Sequence, residues 1–423
     1  MRKDFWVLAL LTVSIFALWC KALFNFFAQD DFILINHFSQ NNFLQNIENV
    51  FGPPTVTHWR PIHNLYFLVA GNIFDKNYFG YHVLTLLFHI GASFLIYKII
   101  QKLVKNFWAA LIGGLVYGIH PAHFVSLFWI SGGATVIGFF FLIGSIYSFL
   151  LDRKALSLIL YLLALLSSEA MVVGLILFYC INILKQRRDS SKNFLIALSV
   201  ITVMFGLIRF LFLASKTTFN IYQIELSTKT ISAVKYYLLK IAGFAEVSGD
   251  QLTSLILLGW LVLIALLLVK RLNKERDIRQ LILSIAIIII GLFPFILIPE
   301  HLSPHYMNVS IFGFAIMIGL VLKQLRPVVS FVFLLFFLGI AIYNINLTKS
   351  NNWVVKRANL AKAYIEQIEK DNSPPESEFV FADNKISTSQ EAYIALGTGE
   401  AIKFWFKDKN YQTCFTFYEN CKK

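Results

Sequence analysis

Residues 281–298 read LILSIAIIIIGLFPFILI, eighteen consecutive positions without a charge, bounded by Arg279-Gln280 on one side and Pro299-Glu300 on the other. About 20 apolar residues cross the hydrocarbon core of a bilayer, so this stretch predicts a transmembrane helix. Ten further runs of the same kind lie at Phe5–Leu23, Tyr81–Ile100, Phe107–Ile119, Phe124–Leu151, Leu156–Leu166, Ala170–Leu184, Phe194–Leu213, Leu252–Val269, Met307–Leu322 and Val328–Ile345. Two of them, Phe107–Ile119 and Leu156–Leu166, are short and need neighbouring helices to cover their ends. The 423 residues are 57% hydrophobic and 14% charged, with a mean hydropathy of +0.66. A soluble chain of this length needs more polar surface than that. The expected fold class is therefore an all-α polytopic membrane protein of about eleven transmembrane helices.

The connections carry an orientation signal. Lys and Arg gather in every second one: Arg2 and Lys3; Lys98, Lys102 and Lys105; Arg153 and Lys154; Lys185, Arg187, Arg188 and Lys192; Lys270, Arg271, Lys274, Arg276 and Arg279; Lys323 and Arg326. The alternate turns, 120–123, 167–169 and 299–305, have neither. Short basic loops stay in the cytoplasm. The sequence thus predicts an inner-membrane (plasma-membrane) protein with a cytoplasmic N-terminus and an extracytoplasmic tail. The net charge of +13 is mainly this topological bias and does not call for nucleic acid. The first run has a short basic start and Ala22 near its end, as a signal peptide does, but it is long enough to remain as an anchor.

Two long outer loops and the tail interrupt the helices. In the first loop, about 24–78, Phe32, Ile35 and Phe38, then Leu44, Ile47 and Phe51, recur at helical spacing. In the second, 214–251, Ile231, Val234, Leu238, Ile241 and Ala245 do the same. Both patterns suit helices lying in the membrane interface. Residues 1–347 form the transmembrane domain and 348–423 a small extracytoplasmic α/β module. Within that module Trp353–Lys370 and Glu391–Phe406 read as helices, and Glu378–Ala382 and Gln412–Tyr418 as strands. Cys414 and Cys421 either pair, which an oxidising compartment permits, or are two unrelated thiols.

Ionisable residues crowd the predicted outer ends of the helices: Asp30, Asp31, His58, Arg60, His63, His82, His120, His123, Glu169, Glu300, His301 and His305. The helix centres are nearly bare, His89 and Arg209 excepted. A transporter needs polar groups near the midplane, so this one-sided decoration favours an enzyme at the outer interface. Adjacent carboxylates at Asp30-Asp31 suit acid–base work, because partial burial brings a carboxyl pKa towards working pH; they equally suit a helix cap ahead of Phe32. Glu169 reads with equal weight as a cap or as a second acid. His82 and His89 read as packed histidines bonded to backbone carbonyls. His120 and His123 bracket a Pro turn without a third ligand at zinc spacing, so no histidine metal site is expected. No cofactor is called for outright, and the one place for a divalent cation is the Asp30/Asp31 pair.

Asp30-Asp31-Phe32 after the first helix, Trp59-Arg60-Pro61 thirty residues on, Tyr81-His82 with His89, the turn His120-Pro121-Ala122-His123 and the run Trp129-Ile130-Ser131-Gly132 together resemble the GT-C glycosyltransferases. The nearest resemblance is to the polyprenyl- or dolichyl-phosphate-mannose-dependent protein O-mannosyltransferases. It covers roughly residues 5 to 185 by motif and the rest by architecture. The chain departs from the pattern at three places. Gly133-Ala134-Thr135 stands where an Arg and then an Asp usually follow, Ser167-Ser168-Glu169 stands for Ser-Lys-Glu, and Pro304-His305-Tyr306 stands for an Arg-Tyr. Two phosphate contacts are thereby lost, and a guanidinium fork is hard to replace at a phosphate.

The resemblance implies inverting transfer of a sugar from a polyprenyl-phosphate-linked donor to an acceptor hydroxyl on a protein, glycan or lipid at the outer face. Asp30 would be the general base and Asp31 its partner. His58, Arg60, His120, His123, Glu169, His305 and Tyr306 would contact the substrate or the lipid phosphate. A lipid carrier fits the lack of a Gly-rich nucleotide cradle. The competing expectations are a non-catalytic or transport-type handler of lipid-linked saccharides, such as a flippase or accessory protein, and a solute transporter.

Overall fold

The computed structural model describes residues 2–39, 42–52, 59–185, 191–213, 223–244, 275–323, 325–371, 373–419 and 421. Where no water reaches, every backbone N–H and C=O must be paired within its own segment, and the apolar runs accordingly form helices. These are α1 (Arg2–Trp19), α2 (Asp30–Ser39), α3 (Phe43–Phe51), α4 (Pro61–Phe74), α5 (Tyr78–Val104), α6 (Phe107–Gly118), α7 (Phe124–Phe128), α8 (Ala134–Leu150), α9 (Lys154–Ser167), α10 (Gly174–Lys185), α11 (Lys192–Leu213), α12 (Thr228–Ile241), α13 (Glu275–Ile296), α14 (Asn308–Leu322) and α15 (Pro327–Asn351).

Among the described residues, eight helical segments are long and apolar enough to cross a membrane: Arg2–Phe24, Tyr78–Val104, Phe107–Phe128, Ser131–Leu150, Lys192–Leu211, Glu275–Ile296, Pro304–Leu322 and Pro327–Asn351. Lys154–Ser167 and Glu169–Ile183 are shorter apolar helices. Together these account for every predicted run except Leu252–Val269, which lies outside the described residues. One boundary differs from expectation. The run Phe124–Leu151 is cut at Trp129, whose backbone is extended, because the next N–H but one, that of Ser131, is given to the Asp31 carboxylate and not to a helical carbonyl. α7 therefore completes the preceding span.

The segments Phe107–Phe128 and Pro304–Leu322 form the centre of the bundle, 94% and 89% buried, against 28% for Lys192–Leu211 and for Pro327–Asn351, which present apolar side chains outward. α6 and α14 touch backbone to backbone. A Cβ on Gly319 would lie 2.6 Å from the carbonyl oxygen of Ala109, the close approach that small residues permit between membrane helices. The basic connections are tied together at one end, where Lys98 pairs with Asp4 at 2.9 Å, Lys323 pairs with Asp277 at 2.6 Å and Arg276 donates to the Leu103 carbonyl at 2.7 Å. On α12, Ile231, Val234 and Leu238 of the expected face are exposed, whereas Ile241 of that face is buried with Ala233 and Tyr237; Ala245 lies outside the described residues.

The tail holds α16 (Trp353–Asp371), β1 (Glu378–Phe381), α17 (Ser389–Ala395), α18 (Glu400–Trp405) and β2 (Gln412–Phe415), with β1 and β2 parallel and Glu378 opposite Gln412. The single helix expected over Glu391–Phe406 is two, since Gly397, Thr398 and Gly399 all have positive φ, which no helix continues through. Cys414 and Cys421 are joined by a disulfide; Cys20 and Cys180 are free. The tail does not carry a core of its own. Ala358, Ala361, Tyr364, Ile365, Leu396, Ile402 and Phe404 pack in one cluster with Phe27, Phe32, Ile35, Phe67 and Tyr81 of the first loop and α5.

Candidate functional site

At the end of the bundle opposite the basic connections, the chain leaves the first span through Asn25 to Gln29 and enters α2 at Asp30. Asn25 fixes the approach by donating to the Phe128 carbonyl at 2.7 Å. Gln29 is held at φ 55°, a left-handed conformation uncommon for a residue with a side chain. Asp31 is 1% exposed, and both of its oxygens are engaged. Oδ1 accepts from the Ser131 N–H at 2.8 Å and from the Ser131 hydroxyl at 2.6 Å, and Oδ2 accepts from the Ala28 N–H at 3.0 Å. Burial pushes Asp31 up to about 7, against the pull of these three donors and with a small push from Asp30. Asp30 keeps a partly open face. Burial raises its pKa too, opposed by the Gln29 side chain and by the charges of Arg60 and Arg357.

Arg60 caps α4, with Pro61 in the first helical position, where a missing N–H costs nothing. Its guanidinium forks onto Glu169, Nε to Oε2 and Nη2 to Oε1, both at 2.7 Å. Arg209, from the outer end of α11, brings a second guanidinium to the same carboxylate at 3.4 Å. Its Nη1 is buried without a hydrogen-bond partner. Among the described residues two guanidinium groups thus meet on the Glu169 carboxylate. Beside it, His305 is buried with Nδ1 2.6 Å from the Ser303 hydroxyl. The Tyr306 ring lies 3.9 Å from His305, and its hydroxyl is 2.9 Å from Nε2 of His301. Trp129 packs edge-on to His305 at 6.1 Å and to Trp353 at 5.2 Å, and its Nε1 is buried without a partner.

The structure thus gathers Asp30, Arg60, Glu169, His305 and Tyr306 at one place and sets other predicted residues apart. His120 bonds through Nε2 to the Ile241 carbonyl at 2.8 Å and accepts the Ala122 N–H at 3.2 Å. His123 bonds to the Tyr117 carbonyl at 2.9 Å. Both rings are buried inside the bundle, as are His82, between the Leu127 and Asn25 carbonyls, and His89, on the Gly118 carbonyl. His58 lies outside the described residues. Where an Arg and an Asp were expected after Gly132, Thr135 instead accepts from Asn308 at 3.3 Å, and Asn308 in turn accepts from the Tyr117 hydroxyl at 2.9 Å. At the Asp30/Asp31 pair, Asp31 already accepts from three protein donors, two on Oδ1 and one on Oδ2. Among the described residues no three His, Cys, Asp or Glu side chains converge as metal ligands.

No family model matches this chain, and no curated protein matches it by sequence. Its structure is similar to the crystal structure of ArnT from Cupriavidus metallidurans bound to undecaprenyl phosphate, with a TM-score of 0.50 and 15% identity, over 95% of this chain and 76% of that one. The chain has a GT-C-like membrane fold. In this fold the first loop and the tail close over the Asp30 end. The sequence did not point to Gln29, Ser131, Trp129 or Arg357 as site residues, and it gave Arg209 only as an exception among the bare helix centres. One signal was legible: Trp353 and Arg357 are four apart on α16, the spacing that sets a guanidinium over an indole; the two are 4.7 Å apart.

Proposed function

We propose that this protein is a glycosyltransferase that moves a sugar, in first place a mannosyl or other hexosyl unit, from a polyprenyl-phosphate-linked donor to an acceptor hydroxyl at the outer face of the membrane. The observation that carries this is a half-buried carboxylate, Asp30, that feels the charge of Arg60 in the Arg60–Glu169–Arg209 cluster at one end of a GT-C-like fold. The undecaprenyl phosphate bound in ArnT supports a lipid phosphate as the group these arginines receive. Arg209 supplies the second cation that the departures from the family pattern had removed.

In the reaction Asp30 takes the proton of the acceptor hydroxyl as its oxygen attacks the anomeric carbon. The bond from that carbon to the phosphate oxygen breaks on the opposite face, so configuration inverts. The bonding pair leaves on the phosphate, where Arg60 and Arg209 stabilise the anion. Asp31 acts as the clamp that ties α2 to Ser131, and His120 and His123 hold the bundle. The N-terminus is cytoplasmic and the tail extracytoplasmic, a reading the disulfide supports.

The test is Asp30→Asn in proteoliposomes with a polyprenyl-phosphate sugar and a hydroxyl acceptor. The amide keeps shape and removes the base, so transfer should fall by about 10²- to 10⁴-fold with donor binding retained. Transfer at the wild-type rate would refute the assignment. Wild-type protein that binds the lipid-linked sugar and never transfers it would instead make this chain a non-catalytic handler of such lipids.

A further inference from the structure

We propose that Arg357, carried by the tail, is a positioning residue of the Asp30 site: it holds Gln29 in the left-handed turn that presents Asp30 and sets a second positive charge beside that carboxylate. The proposal rests on the transferase reading only for its activity arm.

A left-handed non-glycine residue costs of order 1 kcal/mol or more and persists only where its surroundings over-determine it. Within the first loop the Gln29 carbonyl accepts the Phe32 N–H at 3.1 Å, and the tail adds three further restraints. Arg357 Nη1 donates to Gln29 Oε1 at 2.5 Å, and the Gln29 N–H donates to the Ala395 carbonyl at 3.0 Å. Gly397 backs the Gln29 carbonyl so closely that a Cβ there would lie 2.5 Å from its oxygen. Arg357 is itself fixed, its guanidinium lying 4.7 Å over the Trp353 ring, which is braced on Trp129. Among the described residues no carboxylate lies within ion-pair distance of Arg357, so its charge acts through space, on Asp30 first and then on Glu391. The charged groups that bear on Asp30 are Arg60, Arg357 and the neighbouring Asp31.

The sign follows. A nearby cation favours the carboxylate, so removing it raises the Asp30 pKa and moves the acid limb of activity to higher pH. Full-length protein in proteoliposomes, as wild type, Arg357→Gln and Arg357→Lys, should be read in two ways: kcat against pH, and infrared titration of the protonated carboxyl band that disappears in Asp30→Asn. Arg357→Gln should raise the midpoint by about one pH unit in both and lower kcat below it, with donor KM near wild type. Arg357→Lys keeps the charge and should keep the midpoint. An unmoved midpoint in Arg357→Gln, whether kcat is normal or reduced equally at every pH, would overturn the proposal. If wild type transfers no sugar the transferase reading fails, and the infrared midpoint still decides the role of Arg357.

Discussion

Asp31 shows how one residue can be placed for chemistry and still be committed to structure. All three of its protein donors are satisfied by its two oxygens, and an amide in its place must turn an NH₂ towards one of them. Asp31→Asn should therefore lower stability by about 1–3 kcal/mol, the cost of a buried donor left without its acceptor, measurable as a lower melting temperature in detergent. The pH dependence has a definite sign. With the folded pKa raised to about 7 and the unfolded one near the ordinary carboxylate value of about 3.9, the contribution of Asp31 is fully present below about 4 and lost as pH rises through about 7. Wild-type melting temperature should fall across that window, and the Asn variant should lack this component. Arg60 makes the complementary case. Its fork on Glu169 cannot be reproduced by an ammonium, so Arg60→Ala should raise donor KM about 10- to 100-fold, Arg60→Lys should recover only part of it, and equal KM in both variants and wild type would make Arg60 structural.

Among elements, the turn at residues 397–399 decides how the tail meets the first loop. Gly397 has φ 56°, and the space its Cβ would need is occupied by the Gln29 carbonyl. Gly397→Ala should loosen α17 and α18 from α2, lowering the melting temperature and opening the tail to protease, whereas an alanine at the exposed Lys385 should do neither. The helices of this region show what was legible in the sequence and what was not. Amphipathic spacing is local, so α2, α12 and α16 could be read from it, and the short motifs placed Asp30 and Arg60 on neighbouring elements. The partners that give these residues their environment are far along the chain. Ser131 lies 100 residues from Asp31, Arg357 lies 328 from Gln29 and Glu169 lies 109 from Arg60. No periodicity reports such contacts. The contact of the tail with the first loop is hidden in the same way: its polar composition is visible in sequence, while the apolar side chains it shares with Phe27, Phe32 and Phe67 are scattered among polar ones.

For the whole molecule, the arrangement of charge sets one end of the bundle against the other. Lys98 with Asp4 and Lys323 with Asp277 tie together the ends that the basic connections assign to the cytoplasm. Asp30, Arg60 and the tail occupy the other end. This orientation is open to direct measurement. In a background with Cys20→Ser and Cys180→Ser, the remaining cysteines, Cys414 and Cys421, are closed into a disulfide seven residues apart, worth roughly 2.5 kcal/mol on the chain-entropy model. After mild reduction of intact cells, a maleimide that cannot cross the membrane should label both. A cysteine introduced at Lys102, in a basic connection, should be labelled only once the membrane is opened. The reverse pattern would place the Asp30 end in the cytoplasm. The lipid-linked donor would then have to be presented from that side, and the basic connections would contradict the rule that orients most membrane proteins. Labelling of Cys414, Cys421 and Lys102→Cys alike in intact cells would break the alternation between Lys102 and the tail, and with it the count of crossings, including the run Leu252–Val269, on which the tail's position depends.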